Sequence, residues 1–172
     1  MTGQGGITIR PAASADQDAI WAILEPVYRA GETYCIPRDI SRDDALADWF
    51  GKPFTAFVAL ADGRILGTSH VGANRPGGGS HVANASFATH PDARGKGIAR
   101  ALVDHAKSWA AAQGFAAMQF NFVVSTNADA LHLWQKAGFA IVGRLPGAFL
   151  HPSLGPVDGL VMFQKLEVSH DA

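Results

Sequence analysis

The sequence predicts an α/β (α+β) fold in which helices cover both faces of a central, mixed, mostly antiparallel sheet of six to seven strands. Short runs rich in β-branched and aromatic residues predict the strands, and segments with apolar residues at helical spacing predict the helices. One such helix joins two strand-like runs in the second half of the chain. Because crossover helices join parallel neighbours, we expect the fourth and fifth strands to be parallel.

Overall length and composition narrow the function. With 172 residues, the chain is expected to form a single domain, residues 1–172. Its 14 Lys and Arg against 15 Asp and Glu give a net charge of −1, so we expect a small-molecule partner rather than nucleic acid or a membrane. Cys35 is the only cysteine, which excludes an internal disulfide and a multi-thiolate zinc site, and no metal is expected. No signal-peptide pattern is visible, so a cytoplasmic location is expected.

In the first half of the chain, the pattern predicts a strand, two helices and a three-strand meander. Residues 7–9 alternate as a strand, and a capping-box pattern at residues 14–17 opens an amphipathic helix. A polar loop over residues 31–40 separates this helix from a short one that begins at Ser41 and ends near Gly51. The meander strands follow at residues 54–60, 65–71 and 81–89, and the first two are joined by an Asp-Gly hairpin turn.

In the second half, helices alternate with strands. Apolar residues at helical spacing predict a helix from Ile98 to its C-terminal glycine, Gly114. A near-continuous apolar run over residues 118–124 predicts a strand that is buried on both faces. Asn127 can cap a further helix that ends at Gly138, and two final strands are predicted at residues 139–145 and 157–166.

The most informative segment lies between the third meander strand and the helix that follows it, and reads Arg94-Gly95-Lys96-Gly97-Ile98-Ala99. Its glycines let the backbone approach a ligand, and a helix N-terminus offers free N–H groups and partial positive charge. These features predict a diphosphate-binding site. A P-loop is excluded because Gly97 follows Lys96, and a dinucleotide fingerprint is excluded because its final glycine or alanine is replaced by Arg100.

Two blocks together resemble the GNAT N-acetyltransferase superfamily. The first is the Arg-x-x-Gly-x-Ala pattern of residues 94–99, and the second, residues 127–139, resembles the Asn-x-x-Ala-x-x-Leu-(Tyr)-x-Lys-x-Gly-Phe signature. The resemblance implies a GNAT fold with splayed fourth and fifth strands, and acetyl-CoA as cofactor. It also implies a set of cofactor-binding residues, namely Phe87, Ala88, Thr89, Arg94, Gly95, Lys96, Gly97, Ile98, Ala99, Asn127, Ala130, Trp134 and Lys136.

Within the superfamily, residues 143–149 and 157–162 are similar to acetyltransferases of the phosphinothricin and azetidine-2-carboxylate types. Asn84 stands where the phosphinothricin type has its glutamate base. Asn84, Asn121 and Asn127 instead resemble the asparagine set of the azetidine-2-carboxylate type, which is the closer match. The resemblance implies that Asn84 orients the acceptor, that Asn121 lies near the reacting carbonyl and that Asn127 lies near CoA.

Proton transfer leaves several candidates open. Trp134 replaces the tyrosine that often protonates the leaving sulfur in this superfamily, and an indole N–H is not a useful acid. The base is Glu32, His81 or a water held by Asn84. We expect Asn84, Asn121 and Glu32 to be catalytic, and the expected substrate-binding residues are Glu32, Tyr34, Asn84 and Phe149. An acceptor carboxylate needs a cation, for which the candidates are Arg38, Arg75 and Arg144.

The expected function is therefore acetyl-CoA-dependent N-acetylation of a small amino-acid-like amine, by direct transfer in a ternary complex. The resemblance also suggests a homodimer. Two alternatives stay open at this point. One is acetylation of a protein N-terminus or lysine, and the other is a non-catalytic module that only binds acetyl-CoA.

Overall fold

The computed structural model describes residues 6–167. Seven strands and four α-helices follow one another there in the order that the sequence predicts. Their bounds are β1 Thr8–Pro11, α1 Gln17–Ala30, α2 Arg42–Trp49, β2 Thr55–Ala61, β3 Arg64–Ala73, β4 Val82–Thr89, α3 Ile98–Ala112, β5 Ala117–Val124, α4 Ala128–Lys136, β6 Ala140–His151 and β7 Gly155–Lys165.

All seven strands belong to one sheet with the order β1-β2-β3-β4-β5-β7-β6. Only the pairing of β4 with β5 is parallel, and it is confined to Val82 opposite Ala117 and Ala83 opposite Met118. Beyond Ala83, β4 stays paired with β3 as far as Thr89, whereas β5 diverges from it. The predicted fold class and the splayed parallel pair are thus confirmed.

Helices pack on both faces of the sheet because strand residues alternate in direction. Val58 of β2 packs in a cluster with Ile20 of α1 and Trp49 of α2, on one face. Its neighbour Phe57 packs with Val103 of α3 on the other face. The splay between β4 and β5 therefore opens between these two helical layers.

The start of α1 differs from the predicted capping box. Ser14 lies inside a short 3-10 turn, and the carboxylate of Asp16 accepts a 2.7 Å hydrogen bond from the backbone N–H of Ala13. Asp16 also forms a 2.7 Å ion pair with Arg10, and neither it nor the serine makes a capping hydrogen bond to α1 within the described residues. At α2 the prediction is confirmed, because the Ser41 hydroxyl accepts a 3.1 Å hydrogen bond from the N–H of Asp44.

The strand bounds also need correction. β1 begins and ends later than the predicted residues 7–9, and the last two strands are longer than predicted. The predicted strand ends at Leu145, yet β6 continues through Pro146 with an irregular register between Leu145 and Phe149. This is possible because β6 is an edge strand, where a missing backbone N–H breaks no ladder on the open side. Within residues 6–167, no helix has the length and hydropathy that a membrane crossing requires.

Candidate functional site

The N-terminus of α3 presents a row of free backbone donors. Gly95 and Gly97 have φ angles of 75° and 76°, a left-handed conformation that turns the chain sharply into the helix. Within the described residues, the N–H groups of Gly95, Gly97, Ile98 and Ala99 donate to no acceptor. Apart from its chain neighbours, no atom lies within 4 Å of a Cβ built at Gly95, so the space beside this residue is open.

The side chains around this loop are positively charged, but some of them are paired with acidic residues. Arg94 is exposed, and Lys96 lies 3.9 Å from Asp62, a distance that leaves its ammonium largely solvated. Arg100, in contrast, is engaged by Asp104 at 2.9 and 3.0 Å. Arg94 and Lys96 are therefore the cations available to an anion at the loop.

A cleft of about 330 Å³ fills the splay between β4 and β5. Ala99 in the first turn of α3 lines one end of it, which connects the cleft to the free donors of the loop. Its walls are mostly apolar and include Phe87, Ala88 and Thr89 of β4, Phe120, Phe122, Val123 and Val124 of β5, and Asn127, Ala130, Leu133 and Trp134 around α4.

Trp134 and Asn127 give the α4 side of the cleft its shape. The Trp134 indole lies 5.1 Å from the rings of both Phe87 and Phe120, so it acts as an aromatic wall. The side-chain oxygen of Asn127 accepts the N–H of Ala130 at 3.4 Å, which makes Asn127 the N-cap of α4. The side chain of Ile98 is buried in the core, so only its backbone can face a ligand.

Tyr34 reaches into the same cleft from the loop between α1 and α2. Its hydroxyl donates to the backbone C=O of Phe87 and accepts the Phe87 N–H at 3.2 Å. Burial raises the pKa of the Tyr34 hydroxyl to about 12, so this group stays protonated near neutral pH.

Asn84 and Asn121 line a second cavity, of about 540 Å³, together with Phe54, Asn74 and Arg75. The Asn121 amide donates to the side-chain oxygen of Asn74 at 2.7 Å, and its own oxygen accepts from Gln119 at 2.9 Å. The cavity is thus bordered by a chain of side-chain amides. Such groups can bind both donors and acceptors of a small polar molecule.

The remaining residues expected at the substrate lie elsewhere. Glu32 is exposed on its loop and lines neither cavity. Phe149 is buried, with its ring 6.1 Å from that of Phe122, and it lines a third cavity of about 780 Å³ that Tyr34 also borders. Lys136 is exposed at the end of α4, outside the cleft. The structure therefore brings Asn84 and Asn121 together, but not Glu32.

Among the three candidate cations, two have partners. The Arg38 guanidinium donates to the backbone C=O of Arg29 at 2.7 Å, and Arg144 forms a 2.6 Å ion pair with Asp158. Within residues 6–167, Arg75 forms no ion pair, and it borders the amide-lined cavity. No three His, Cys, Asp or Glu side chains gather as a possible metal site in this part of the chain.

The two hydrogen-bond partners of Asn121 were not predicted from the sequence. Gln119 precedes Asn121 by two positions, and two polar residues on one face of an otherwise apolar strand were a usable signal. Asn74 lies 47 residues from Asn121 and follows β3 in an ordinary polar turn, so no local pattern marks it.

Comparison with known proteins identifies the family. The model of the acetyltransferase (GNAT) family matches residues 18–139, which is more than half of the chain. The structure is similar to a GCN5-related N-acetyltransferase from Kribbella flavida, with a TM-score of 0.89 and 40% identity, covering 93% of this chain and 98% of that one. It is also similar to a GNAT superfamily phosphinothricin acetyltransferase from Sinorhizobium meliloti, solved in complex with acetyl-CoA. That match has a TM-score of 0.82 and 23% identity over 93% and 88% of the two chains, and it bears on the fold alone.

A curated relative found by sequence comparison is also an N-acetyltransferase. N-acetyltransferase aca1 of Schizosaccharomyces pombe is 29% identical over 135 residues, which cover 69% of this chain. The chain spans less than two thirds of the curated relatives that it matches, namely 64% of aca1 and 11% of Protein SPT10 of Saccharomyces cerevisiae. The family match is independent of those lengths. This chain belongs to the acetyltransferase (GNAT) family, as its two motifs predicted.

Proposed function

We propose that this chain is an acetyl-CoA-dependent N-acetyltransferase that acetylates the amine of a small amino-acid-like substrate in a ternary complex, within a single domain. One observation carries the proposal: the splay between β4 and β5 connects free donors at the start of α3 with strands that also bear an amide-lined cavity. A thioester carrier and its acceptor can thus reach the same two strands from different sides.

The residues at the cleft fit acetyl-CoA. The unpaired N–H groups of residues 95 and 97–99, with Arg94 and Lys96 beside them, suit a diphosphate. The edge of β4 near Phe87, which β5 leaves without a neighbouring strand, suits the amides of a pantetheine arm, as an added strand would. The aromatic wall at Trp134 excludes water from the far side of the cleft. When bound, acetyl-CoA supplies an acetyl group activated as a thioester.

The amide-lined cavity suits an acceptor that carries an amine and a carboxylate. Arg75 is the candidate cation that is not engaged elsewhere, so we assign the acceptor carboxylate to it. Asn84 and Asn121 then face the polar groups around the acceptor amine, and the second N–H of the Asn121 amide is available to a developing oxyanion.

Proton transfer relies on solvent in this proposal. No Asp or Glu lines the amide-lined cavity, and Trp134 offers no usable acid. A water oriented by Asn84 takes the proton of the acceptor amine, and CoA leaves as a thiolate, which is stable enough near neutral pH to need no dedicated acid. Glu32 and His81, which are both exposed, are the alternatives for the base.

Release of free thiol from acetyl-CoA, measured over a panel of acceptors, tests the proposal. The panel holds amino acids, azetidine-2-carboxylate, phosphinothricin, methionine sulfoximine and short peptides with free N-termini or lysines. We expect turnover with small amino-acid-like amines and not with the peptides. Turnover with peptides alone indicates a protein acetyltransferase, and binding of acetyl-CoA without any turnover indicates a non-catalytic module.

We also propose that the protein forms a homodimer through the open edge of β6. That strand is at the end of the sheet, and it exposes an unusual number of large apolar side chains, namely Ile141, Val142, Leu145 and Leu150. An exposed apolar edge strand invites pairing with another strand. A second copy of the same edge offers a matching apolar surface. The cytoplasmic location expected from the sequence stays a prediction.

A further inference from the structure

The backbone N–H and C=O of Phe87 bond to a side chain, at a position where a neighbouring strand would normally supply their partners. Phe87 lies four positions beyond Ala83, the last residue of β4 that pairs with β5. Its N–H and C=O both face the splay, and both are bonded to the hydroxyl of Tyr34, which is 53 residues away in sequence. One oxygen therefore serves as acceptor for the N–H and donor to the C=O of the same residue.

A hydroxyl is well suited to imitate a paired strand at this point. It carries one donor and can accept as well, so it matches the N–H and C=O of a single residue. Buried backbone groups without partners are costly, and the splay deprives Phe87 of its neighbouring strand. The Tyr34 ring is held in place by an edge-on contact with Tyr28 of α1, at 5.6 Å between centroids. Because the pKa of Tyr34 is raised to about 12, the hydroxyl remains a donor across the neutral range.

The proposed carrier needs the same groups. In the proposed function, the amides of the pantetheine arm pair with the free edge of β4, and Phe87 lies at the middle of that edge in the wall of the cleft. One N–H makes only one well-directed hydrogen bond. Tyr34 and a carrier amide therefore cannot both hold the Phe87 N–H.

We infer that the Tyr34 hydroxyl occupies the place of the carrier in the free protein. There it satisfies the backbone N–H and C=O of Phe87, and it is displaced from them when acetyl-CoA binds. The inference rests on the proposed function, because it requires that the carrier enters this cleft. According to this inference, the Tyr34 hydroxyl does not hold acetyl-CoA but competes with it, so Tyr34 is a positioning residue that weakens acetyl-CoA binding. Removing the hydroxyl should consequently strengthen the affinity for the carrier.

Calorimetric titration of CoA into wild type, Tyr34→Phe and Tyr28→Phe tests this inference. Tyr28 is the matched control, since it touches Tyr34 but its hydroxyl makes no hydrogen bond within the described residues. Loss of the hydroxyl leaves the Phe87 peptide unsatisfied in the free protein only, so Tyr34→Phe should lower the Kd for CoA about tenfold. Tyr28→Phe should bind like the wild type.

An equal or weaker affinity of Tyr34→Phe overturns the inference while leaving the proposed function intact. Absence of CoA binding to the wild type overturns the proposed function itself, so the two failures are distinguishable. Thermal melting gives a second readout. Tyr34→Phe should melt below the wild type without CoA, and the difference should narrow with saturating CoA because the ligand then satisfies Phe87 in both proteins. A difference that CoA does not narrow contradicts the exchange.

Discussion

Asn121 of β5 and Asn74, which directly follows β3, are joined by a 2.7 Å hydrogen bond between their side-chain amides. Gln119 donates to the Asn121 oxygen at 2.9 Å, so both ends of the Asn121 amide have a partner. Only one of its two N–H groups is used by Asn74. The orientation of Asn121 is therefore fixed, and one donor of this cavity-lining side chain is not used by Asn74.

Replacement of Asn121 by Leu should lower kcat for amine acceptors by about 100-fold, because the loss of one oxyanion donor typically costs 10²- to 10³-fold. The affinity for acetyl-CoA should not change, since Asn121 does not line the carrier cleft. Steady-state kinetics and calorimetry measure the two quantities. Gln119→Leu is the control: it removes the group that orients Asn121 and should have a smaller effect. A wild-type kcat for Asn121→Leu would exclude Asn121 from the reaction.

Gly97→Leu should weaken acetyl-CoA binding by more than tenfold. The residue has a positive φ, and its N–H is one of the free donors at the start of α3. Gly114→Leu is a matched control, because Gly114 also has a positive φ and open space around it but lies beyond the other end of α3. Both variants carry the strain of a left-handed side chain, about 1–2 kcal/mol. Equal acetyl-CoA affinities in the two variants would show that residue 97 has no part in binding.

The parts of the fold that were predictable from sequence are those fixed by neighbours along the chain. The turn at Asp62-Gly63 has φ angles of 52° and 73°, as the Asp-Gly pattern of a hairpin requires. The glycines before α3 and the Asn127 cap are likewise local. Ser14 does not act as the predicted cap because it lies inside a 3-10 turn, where the Asp16 carboxylate accepts the Ala13 N–H and pairs with Arg10, a residue outside the predicted pattern. The strand predicted at residues 139–145 is too short because a sequence does not reveal which strand lies at the edge, where β6 can continue past Pro146.

In the candidate site, too, the features formed by neighbours along the chain were predictable, whereas contacts between distant residues were not. The proposed diphosphate loop is a continuous segment, so its residues could be predicted together. The bond between Tyr34 and Phe87 spans 53 residues, and that between Asn74 and Asn121 spans 47. Such pairs form only after the sheet and the loop between α1 and α2 are assembled. The family resemblance marked Tyr34 and Asn121 as candidates, but their partners depend on tertiary packing.

Arg75→Gln should raise KM for amino-acid acceptors at least tenfold, because it removes the free cation beside the amide-lined cavity. The KM for the corresponding decarboxylated amines should change little, since these lack the group that Arg75 is proposed to bind. Arg144→Gln removes the same charge from an arginine already paired with Asp158, and it should leave acceptor selectivity unaltered. Loss of selectivity in Arg144→Gln alone would move the carboxylate site to the β6–β7 hairpin.

The Asp16 carboxylate should give the fold a defined acid sensitivity. The hydrogen bonds from Arg10 hold the pKa of Asp16 below its ordinary value, and the Ala13 N–H acts in the same direction. A lowered pKa in the folded state stabilises the protein above the unfolded pKa, near 3.9, and this contribution disappears as the pH falls through the folded value. Urea unfolding should therefore show a stability gap between wild type and Asp16→Asn that is constant from about pH 5 to 8 and shrinks below about pH 4.

Asp104→Asn is the control for this experiment, because its exposed pair with Arg100 should contribute no more than about 1 kcal/mol. A gap between wild type and Asp16→Asn that widens in acid would contradict the assignment.

The apolar edge of β6 predicts the behaviour of a surface variant. Val142 is 61% exposed on this edge strand, and a charge there should oppose pairing with a second copy. Light scattering coupled to gel filtration should find the wild type as a dimer at micromolar concentrations, and Val142→Lys should raise the dimer dissociation constant at least tenfold. Gln113→Lys adds the same charge at the exposed end of α3, away from β6, and should remain dimeric. A monomeric wild type, or a Val142→Lys variant that dimerises as the wild type does, would exclude β6 as the interface.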